Sequence, residues 1–448
     1  MPSFPVRAED AIFLHAQSAS CPQQVGAVVL LNGPGVDLAG LRASVGARVA
    51  QLPQLRRRLI PADSRWSRPQ WVIDESLDVR GRVTEVTAGD GSRTALEQVV
   101  GQYFAEPVDP AKAAWQLLLV RTAAGGPSAI VVKAHHALGD SYALISELSG
   151  LFDPQYRPVR KGSRGATPRR RHRPRVSTAL RVARGLAGMA LAAPPNPIGT
   201  DAVVADDRRE FAAVSLDART VATRARQLKV GTVDLVLAVA ADALGQRMAR
   251  QGQPAAGRRV RAMVPCSLRP AGRSPGGRGT SAQTAIASGG RNGGGAGPGN
   301  RIAGVLLDLP VGPMSLAERV TAVRAARQSQ LRRGDAEASA FVLRAMNLLP
   351  SPLQRAIARM AFTSRRFSLI VSVFPGTRQT RQLLGAEVTE VFPVLALADG
   401  VGLAIGAMTW GRSLSVGIMA NPALIPDAAL LAAGMRHAFT ADHARSAD

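Results

Sequence analysis

Apolar residues fall into two kinds of run along this chain. Short runs rich in Val, Ile, Leu and Ala read as strands. They occupy residues 27–31, 116–120, 129–133, 260–264, 302–309, 367–373, 401–408 and 414–419. The last two flank residues 409–413 and read as a hairpin. Longer stretches with apolar residues three and four apart read as helices, at 38–50, 141–152, 233–249, 315–332 and 427–438. Asp427 stands where the last of these needs an N-terminal cap. Both kinds of run occur before residue 155 and after residue 205, which predicts an α/β protein in two halves of comparable build.

Two segments interrupt this pattern. Residues 155–200 contain no Asp or Glu, while basic residues accumulate from Arg157 to Arg184 between several prolines. This stretch reads as an exposed crossover linker, 155–205, between an N-terminal half, 1–154, and a C-terminal half, 206–448. Its one helical stretch, 176–193, carries Leu180, Ala183, Leu186 and Ala187 on one face and Arg181 and Arg184 elsewhere. Such a helix packs on its own domain with solvated arginines, or lies on an anionic membrane. The second segment, 271–300, is rich in glycine but lacks the Lys-Ser/Thr of a phosphate-binding loop, so it reads as a surface insertion. No apolar run reaches the ~18 residues of a membrane span, so any membrane contact is expected to be peripheral.

Charge and cysteine content narrow the classes further. The 448 residues carry a formal net charge of +24, with 56 Lys+Arg against 32 Asp+Glu. A surface this basic attracts anionic lipid or ligands bearing several phosphates. Aromatic residues are 4% of the chain, and only Tyr156 accompanies the arginine cluster. That leaves no stacking platform for nucleic acid, and nucleic acid is not expected as a partner. Cys21 and Cys266 make no disulfide framework, and the first residues lack a secretory signal pattern, so the expectation is cytoplasmic.

The candidate chemistry is at the end of the apolar run 129–133. There the chain reads Lys133-Ala134-His135-His136-Ala137-Leu138-Gly139-Asp140-Ser141 and then enters a helical pattern. A strand end is a rigid mount for a base, and the turn after it exposes that base. Neutral imidazole, with a pKa near ~6.5, suits removal of a proton from an alcohol at neutral pH. Asp140 reads as an ion-pair partner for an arginine or as a helix cap. No metal site is expected, because no Cys or His cluster has ligand spacing and adjacent strand residues face opposite ways. A second reading takes Gly139-Asp140-Ser141-Tyr142-Ala143 as a nucleophile elbow, with Ser141 as a hydrolase nucleophile.

The His135-His136-x-x-x-Asp140 pattern resembles the HHxxxDG motif of the coenzyme A-dependent acyltransferase superfamily, which includes chloramphenicol acetyltransferase and peptide condensation domains. The flanking sequence is similar to one branch, the bacterial wax ester synthase/acyl-CoA:diacylglycerol acyltransferase family. Pro107-Val-Asp-Pro-Ala-Lys-Ala-Ala-Trp115 resembles its segment ending in Pro-Leu-Trp. Thr232-Val-Asp-Leu-Val-Leu-Ala resembles its Asn-Asp helix start, and Met263-Val-Pro-Cys-Ser-Leu-Arg269 its Val-Pro-Val-Ser-x-Arg strand. Gly299-Asn300 with Leu309-Pro310, and Ser372-Val-Phe-Pro-Gly376, resemble two later segments in the same order.

The resemblance implies two chloramphenicol acetyltransferase-like domains with a tunnel between them. It implies acyl transfer from acyl-CoA to diacylglycerol or a long-chain alcohol, with acyl-CoA as co-substrate and no permanently bound cofactor. By carry-over His136 is the general base, and His135 and Asp140 support it. Asp234 and Trp115 become candidates for substrate binding, beside their plainer readings as helix cap and core tryptophan. The chain departs from the family pattern at Ser141, Val233, Ala113-Ala114 and Val373-Phe374. These departures bear on activity and substrate preference, and admit a catalytically weak paralogue that binds membrane lipid. In the enzyme reading, the basic residues 157–184 hold the protein at an anionic membrane or lipid-droplet surface.

Overall fold

The computed structural model describes residues 3–33, 35–122, 128–139, 144, 176–190, 195, 198, 205–267, 300, 302–379 and 381–440. Asp140, Ser141, most of the helix expected at 141–152, the basic residues up to 175 and most of the glycine-rich segment lie outside the described residues.

In chain order the N-terminal half contains β1 (Ser3–Pro5), α1 (Ala8–Ala16), β2 (Gln24–Asn32), α2 (Leu38–Val49), β3 (Arg57–Ile60), β4 (Gln70–Ile73), β5 (Val83–Ala88), α3 (Arg93–Ala105), β6 (Trp115–Thr122) and β7 (Ser128–His135). Helix α4 (Val176–Ala190) follows. The C-terminal half begins with β8 (Glu210–Asp217), α5 (Ala218–Gln227), α6 (Thr232–Arg250), β9 (Arg259–Ser267), β10 (Ile302–Pro310), α7 (Leu316–Arg333), α8 (Asp335–Ala345) and α9 (Ser351–Ala361). It ends with β11 (Leu369–Thr377), β12 (Arg381–Leu383), β13 (Ala386–Val394), β14 (Leu403–Trp410), β15 (Ser413–Ala420) and α10 (Ala428–Thr440).

Two six-stranded sheets organise these elements. The first has the order β12-β13-β2-β7-β6-β5, and the second β10-β9-β11-β14-β15-β8. Both are mixed: β5 pairs parallel with β6 in the first, and β11 pairs parallel with β9 and β14 in the second. A small sheet, β1-β4-β3, stands apart. The expected hairpin is present, with β14 and β15 paired antiparallel from Leu403↔Ala420 to Trp410↔Ser413.

The first sheet takes two strands from the far end of the chain. β13 pairs antiparallel with β2 from Glu387↔Asn32 to Val394↔Gly26, and β12 pairs with β13. Val28, Val131, Phe104 and Leu118 from the N-terminal half pack with Phe211, Phe392 and Met419 in one apolar cluster. The halves therefore share core as well as sheet.

Helix α6 shows why its apolar run is long. Leu235 to Ala241 are all fully buried, so this helix is covered on every side, as an all-apolar helix must be. Helix α4 packs on the junction between α7 and α8. A Cβ at Gly185 would stand 2.5 Å from the Gly334 carbonyl oxygen, so only glycine permits this approach. Gly334 itself has φ +95°, the left-handed turn that ends one helix and begins the next. The face expected to be covered is turned outward: Leu180 is 48% exposed, and the glycine side is buried instead. Arg181 pairs with Glu337 and donates to the Leu331 carbonyl, so this helix is held by its own protein. Asp427 does not cap α10 as expected. It adopts φ +66°, and the Ala428 N–H is met by Glu210 Oε1 at 3.0 Å.

Candidate active site

Strand β7 lies inside the first sheet, between β2 and β6. Its residues Ala129 to Val132 are apolar and buried, and register fixes where it ends: Gln24 pairs with His135. The His135 N–H donates to the Ala114 carbonyl, and the His136 N–H donates to the Gln23 carbonyl at 2.9 Å. A single 3-10 turn, His136–Leu138, then follows. The strand thus stops between the two histidines, and the alternation expected from adjacent strand positions is lost. Both rings meet the same segment of chain, α1 and the residue after it.

The two histidines have different surroundings. His135 is 1% exposed. Its Nδ1 accepts from the Ala137 N–H at 3.0 Å, so Nδ1 carries no proton. Nε2 therefore carries the proton and donates to Gln17 Oε1 at 2.6 Å. Burial, helped by the neighbouring His136, holds its pKa down at about 3, so the ring stays neutral at any ordinary pH. His136 is stacked face to face on Phe13, with ring centroids 3.7 Å apart and planes 7° apart. Phe362, just after α9, meets Phe13 edge-on, with ring centroids 5.6 Å apart.

Main-chain contacts hold the turn as firmly. The His136 carbonyl accepts from Asn300 Nδ2 at 3.0 Å. Asn300 Nδ2 also donates to Asp10 Oδ1 at 2.7 Å, and the Asn300 N–H donates to the same oxygen at 2.8 Å. Burial outweighs these bonds and pushes the Asp10 carboxyl up to about 6. Lys133, two residues before His135, is also buried. Its Nζ donates to the carbonyls of Tyr103 and Glu106, where α3 ends with unsatisfied oxygens. Burial brings its pKa down to about 8.

The other candidates are placed elsewhere. Trp115 is fully buried in the N-terminal core, and its Nε1 donates to the Leu55 carbonyl at 2.6 Å. Asp234 is 1% exposed in the first turn of α6, where Arg327 of α7 grips it through two bonds of 2.6 and 3.1 Å. Gly231, and not Asp234, is the N-cap residue of that helix. Val233 packs against the C-terminal core. Burial pushes both thiols, Cys21 and Cys266, up to about 11, which makes them poor nucleophiles.

The structure brings Asp10, Phe13, Gln17 and Asn300 to the histidine pair. The first three were not singled out in the sequence. Their one signal was an acidic residue inside the apolar run Ala8-Glu9-Asp10-Ala11-Ile12-Phe13.

A histidine ring oriented by stacking, beside a second histidine that is neutral and immobilised, can remove a proton and return it. Solved structures share this architecture. The chain superposes on the wax ester synthase/diacylglycerol acyltransferase from Marinobacter aquaeolei VT8 with a TM-score of 0.67 and 16% identity, covering 97% of this chain and 98% of that one. It also superposes on the first condensation domain of the calcium-dependent antibiotic synthetase, with a TM-score of 0.63, 16% identity and coverage of 98% and 96%. The protein has the two-domain α/β fold that these structures share.

The family follows from the sequence comparison. The wax ester synthase/diacylglycerol acyltransferase catalytic domain model matches residues 6–263, and the C-terminal domain model of the same family matches residues 298–441. The chain belongs to the wax ester synthase/diacylglycerol acyltransferase family and is an acyltransferase. Rv0895 of Mycobacterium tuberculosis, which carries the name diacylglycerol O-acyltransferase, is 26% identical over 475 residues, covering 97% of this chain and 89% of its own. Tgs1 of the same organism, also named a diacylglycerol O-acyltransferase, is 22% identical over 456 residues, with coverage of 96% and 93%.

Proposed function

We propose that this enzyme moves a long-chain fatty acyl group from acyl-CoA to the hydroxyl of diacylglycerol or of a long-chain alcohol, with His136 as general base. The observation that carries this reading is the contrast within the histidine pair: His135 is kept neutral by burial and held in one tautomer by two hydrogen bonds, while the His136 ring is oriented by Phe13 at the strand end. In this mechanism His136 takes the proton from the acceptor hydroxyl as its oxygen attacks the thioester carbonyl. The tetrahedral intermediate collapses, the carbon–sulfur bond breaks, and CoA thiolate leaves with the proton returned by His136. No acyl-enzyme forms. His135 sets the turn geometry, and Asp140 supports the motif. Trp115 and Asp234 act from within the two cores, by fixing the sheet and the helix packing that frame the site.

An observation on the donor comes from a fold relative: the starter condensation domain of rhizomide synthetase, with a TM-score of 0.60, is described in complex with C8-CoA. This supports acyl-CoA as the donor here. Among the described residues no helix is long and apolar enough to cross a membrane. We place the enzyme at anionic membrane or lipid-droplet surfaces through basic residues 157–184, where its oily acceptor resides.

The test is thiol release from palmitoyl-CoA with no acceptor, with dioleoylglycerol and with hexadecanol, comparing the wild type with His136→Ala. Acceptor-dependent release that the variant lacks is expected, and it names the acceptor class. Release that ignores the acceptor points instead to hydrolysis through Ser141. Absence of release from folded wild type sinks the acyl-CoA reading.

A further inference from the structure

The turn that carries His136 is tied to the other half of the molecule through Asn300. Asn300 stands two residues before the start of β10 in the C-terminal half, yet its side chain bonds only to groups of the N-terminal half among the described residues: Asp10 and the His136 carbonyl. Two acceptors on Nδ2 fix which end of this amide is nitrogen. All three residues are buried, with Asp10 at 5%, Asn300 at 6% and His136 at 8% exposure. Asp10 and Phe13 lie three residues apart on α1, so one helix face presents both the anchor for Asn300 and the ring that stacks on His136.

We propose that Asp10 and Asn300 form a latch between the two halves that positions His136 for catalysis. The proposal rests on His136 being the general base. Asn300 fixes the carbonyl of the catalytic residue, and hence the direction in which its Cα–Cβ bond leaves the turn. Phe13 fixes the ring plane. Asp10 holds Asn300 in register by accepting its backbone and side-chain N–H on one oxygen. The orientation of the base then follows the seating of the C-terminal half on the N-terminal one, so the reacting geometry is assembled only when both halves are in place. Asp10 and Asn300 are positioning residues; neither is required to touch substrate.

A carboxylate is a poor choice if stability alone were at issue. Buried ionised groups weaken a fold unless they are fully compensated, and apolar replacements of similar volume are often neutral or better. Asp10 is met by an amide and not by a buried cation; the nearby charges are those of Glu9 and Arg7. An oriented acceptor is what its place requires.

The experiment compares kcat and KM of the full-length wild type with Asn300→Ala, Asn300→Leu, Asp10→Ala, Asp10→Asn and the double Asn300→Ala/Asp10→Ala variant. His136→Ala is assayed alongside. Misplacing a catalytic group by a fraction of an ångström lowers kcat by roughly 10- to 100-fold, and this is expected for both alanine variants, with KM for acyl-CoA within about threefold. The double variant falls no further than the worse single one, because both changes release the same latch. Asp10→Asn keeps an acceptor oxygen and recovers kcat to within about fivefold of wild type. Asn300→Leu keeps the volume and loses kcat as Asn300→Ala does, which separates lost bonds from lost packing.

Full kcat in either Asn300 variant while His136→Ala is inactive overturns the latch and leaves the base assignment standing. An active His136→Ala overturns the base assignment itself. A KM rise that matches the kcat fall, or Asp10→Asn as slow as Asp10→Ala, also overturns the latch as described.

Discussion

Buried ionisable groups are handled differently in the two halves. In the C-terminal half the buried carboxylates meet arginines. Arg327 grips Asp234, Arg333 bonds Asp335 at 2.8 and 2.7 Å, and the buried Arg319 of α7 reaches Asp242 of α6 at 3.1 Å. In the N-terminal half they meet neutral groups. Asp10 accepts from an amide, Lys133 donates to backbone carbonyls, and His135 bonds an amide side chain and a backbone N–H. Burial shifts all three toward the neutral form, Asp10 up to about 6, Lys133 down to about 8 and His135 down to about 3. Paired charges fasten helices to one another. Buried groups displaced by desolvation and answered by dipoles gather around the end of β7, where the proposed base stands.

The largest effect that tests this contrast is on rate. His136→Ala is expected to lower acceptor-dependent thiol release by roughly 10³-fold or more, within the range general-base removal produces, while leaving the melting temperature nearly unchanged. A melting temperature that drops with activity intact would move His136 into the structural class with the C-terminal pairs. Next comes the opposite outcome in the other half. Asp234→Ala leaves Arg327 facing a buried space without its carboxylate and is expected to lower stability by about 3–5 kcal/mol. Denaturant titration measures this loss. At a temperature where the variant stays folded, kcat is expected to hold within about threefold. A selective collapse of kcat or a large rise in KM would instead place Asp234 in contact with substrate.

The sequence revealed these regions unequally. Strands β2, β6, β7, β9, β10, β11, β14 and β15 were legible because each is a short run dominated by apolar residues. Strand β13 was not singled out. Its charged Glu387 and Glu390 interrupt the run, and Pro393 argues against a strand away from an edge, yet β13 pairs with both β12 and β2. That it closes the N-terminal sheet is a long-range fact that no local pattern carries. The histidine pair was legible because two adjacent His at a strand end are rare in a chain with six. Their division of labour was not, since the tautomer of His135 depends on Gln17 and on the 3-10 turn. Asp10 was hidden by its ordinary position in the first turn of a helix, where an acidic residue usually serves the helix dipole at the surface. Only tertiary packing turned it inward.

That inward carboxylate gives the smallest and most discriminating effect. Its ordinary value is 3.8, and in the fold it rises to about 6: burial raises it most, Glu9 adds slightly, and the Asn300 bonds and Arg7 oppose the rise. Folding therefore favours the protonated form. The resulting stabilisation is fully present below about pH 4 and is lost as the pH rises through 6. Asp10→Asn has no such titration. The difference in unfolding free energy between variant and wild type is expected to grow from its value at pH 4 by at most about 3 kcal/mol by pH 7.5, in favour of the variant. Urea titrations at the two pH values measure it. A gain of stability together with a several-fold fall in kcat would show that the charge tightens the hold on Asn300 at the expense of the fold. That is the stability–activity trade expected where a buried group serves function. A difference that does not change with pH would mean that Asp10 is already paired, and would place it with Asp234 and the fastened charges of the C-terminal half.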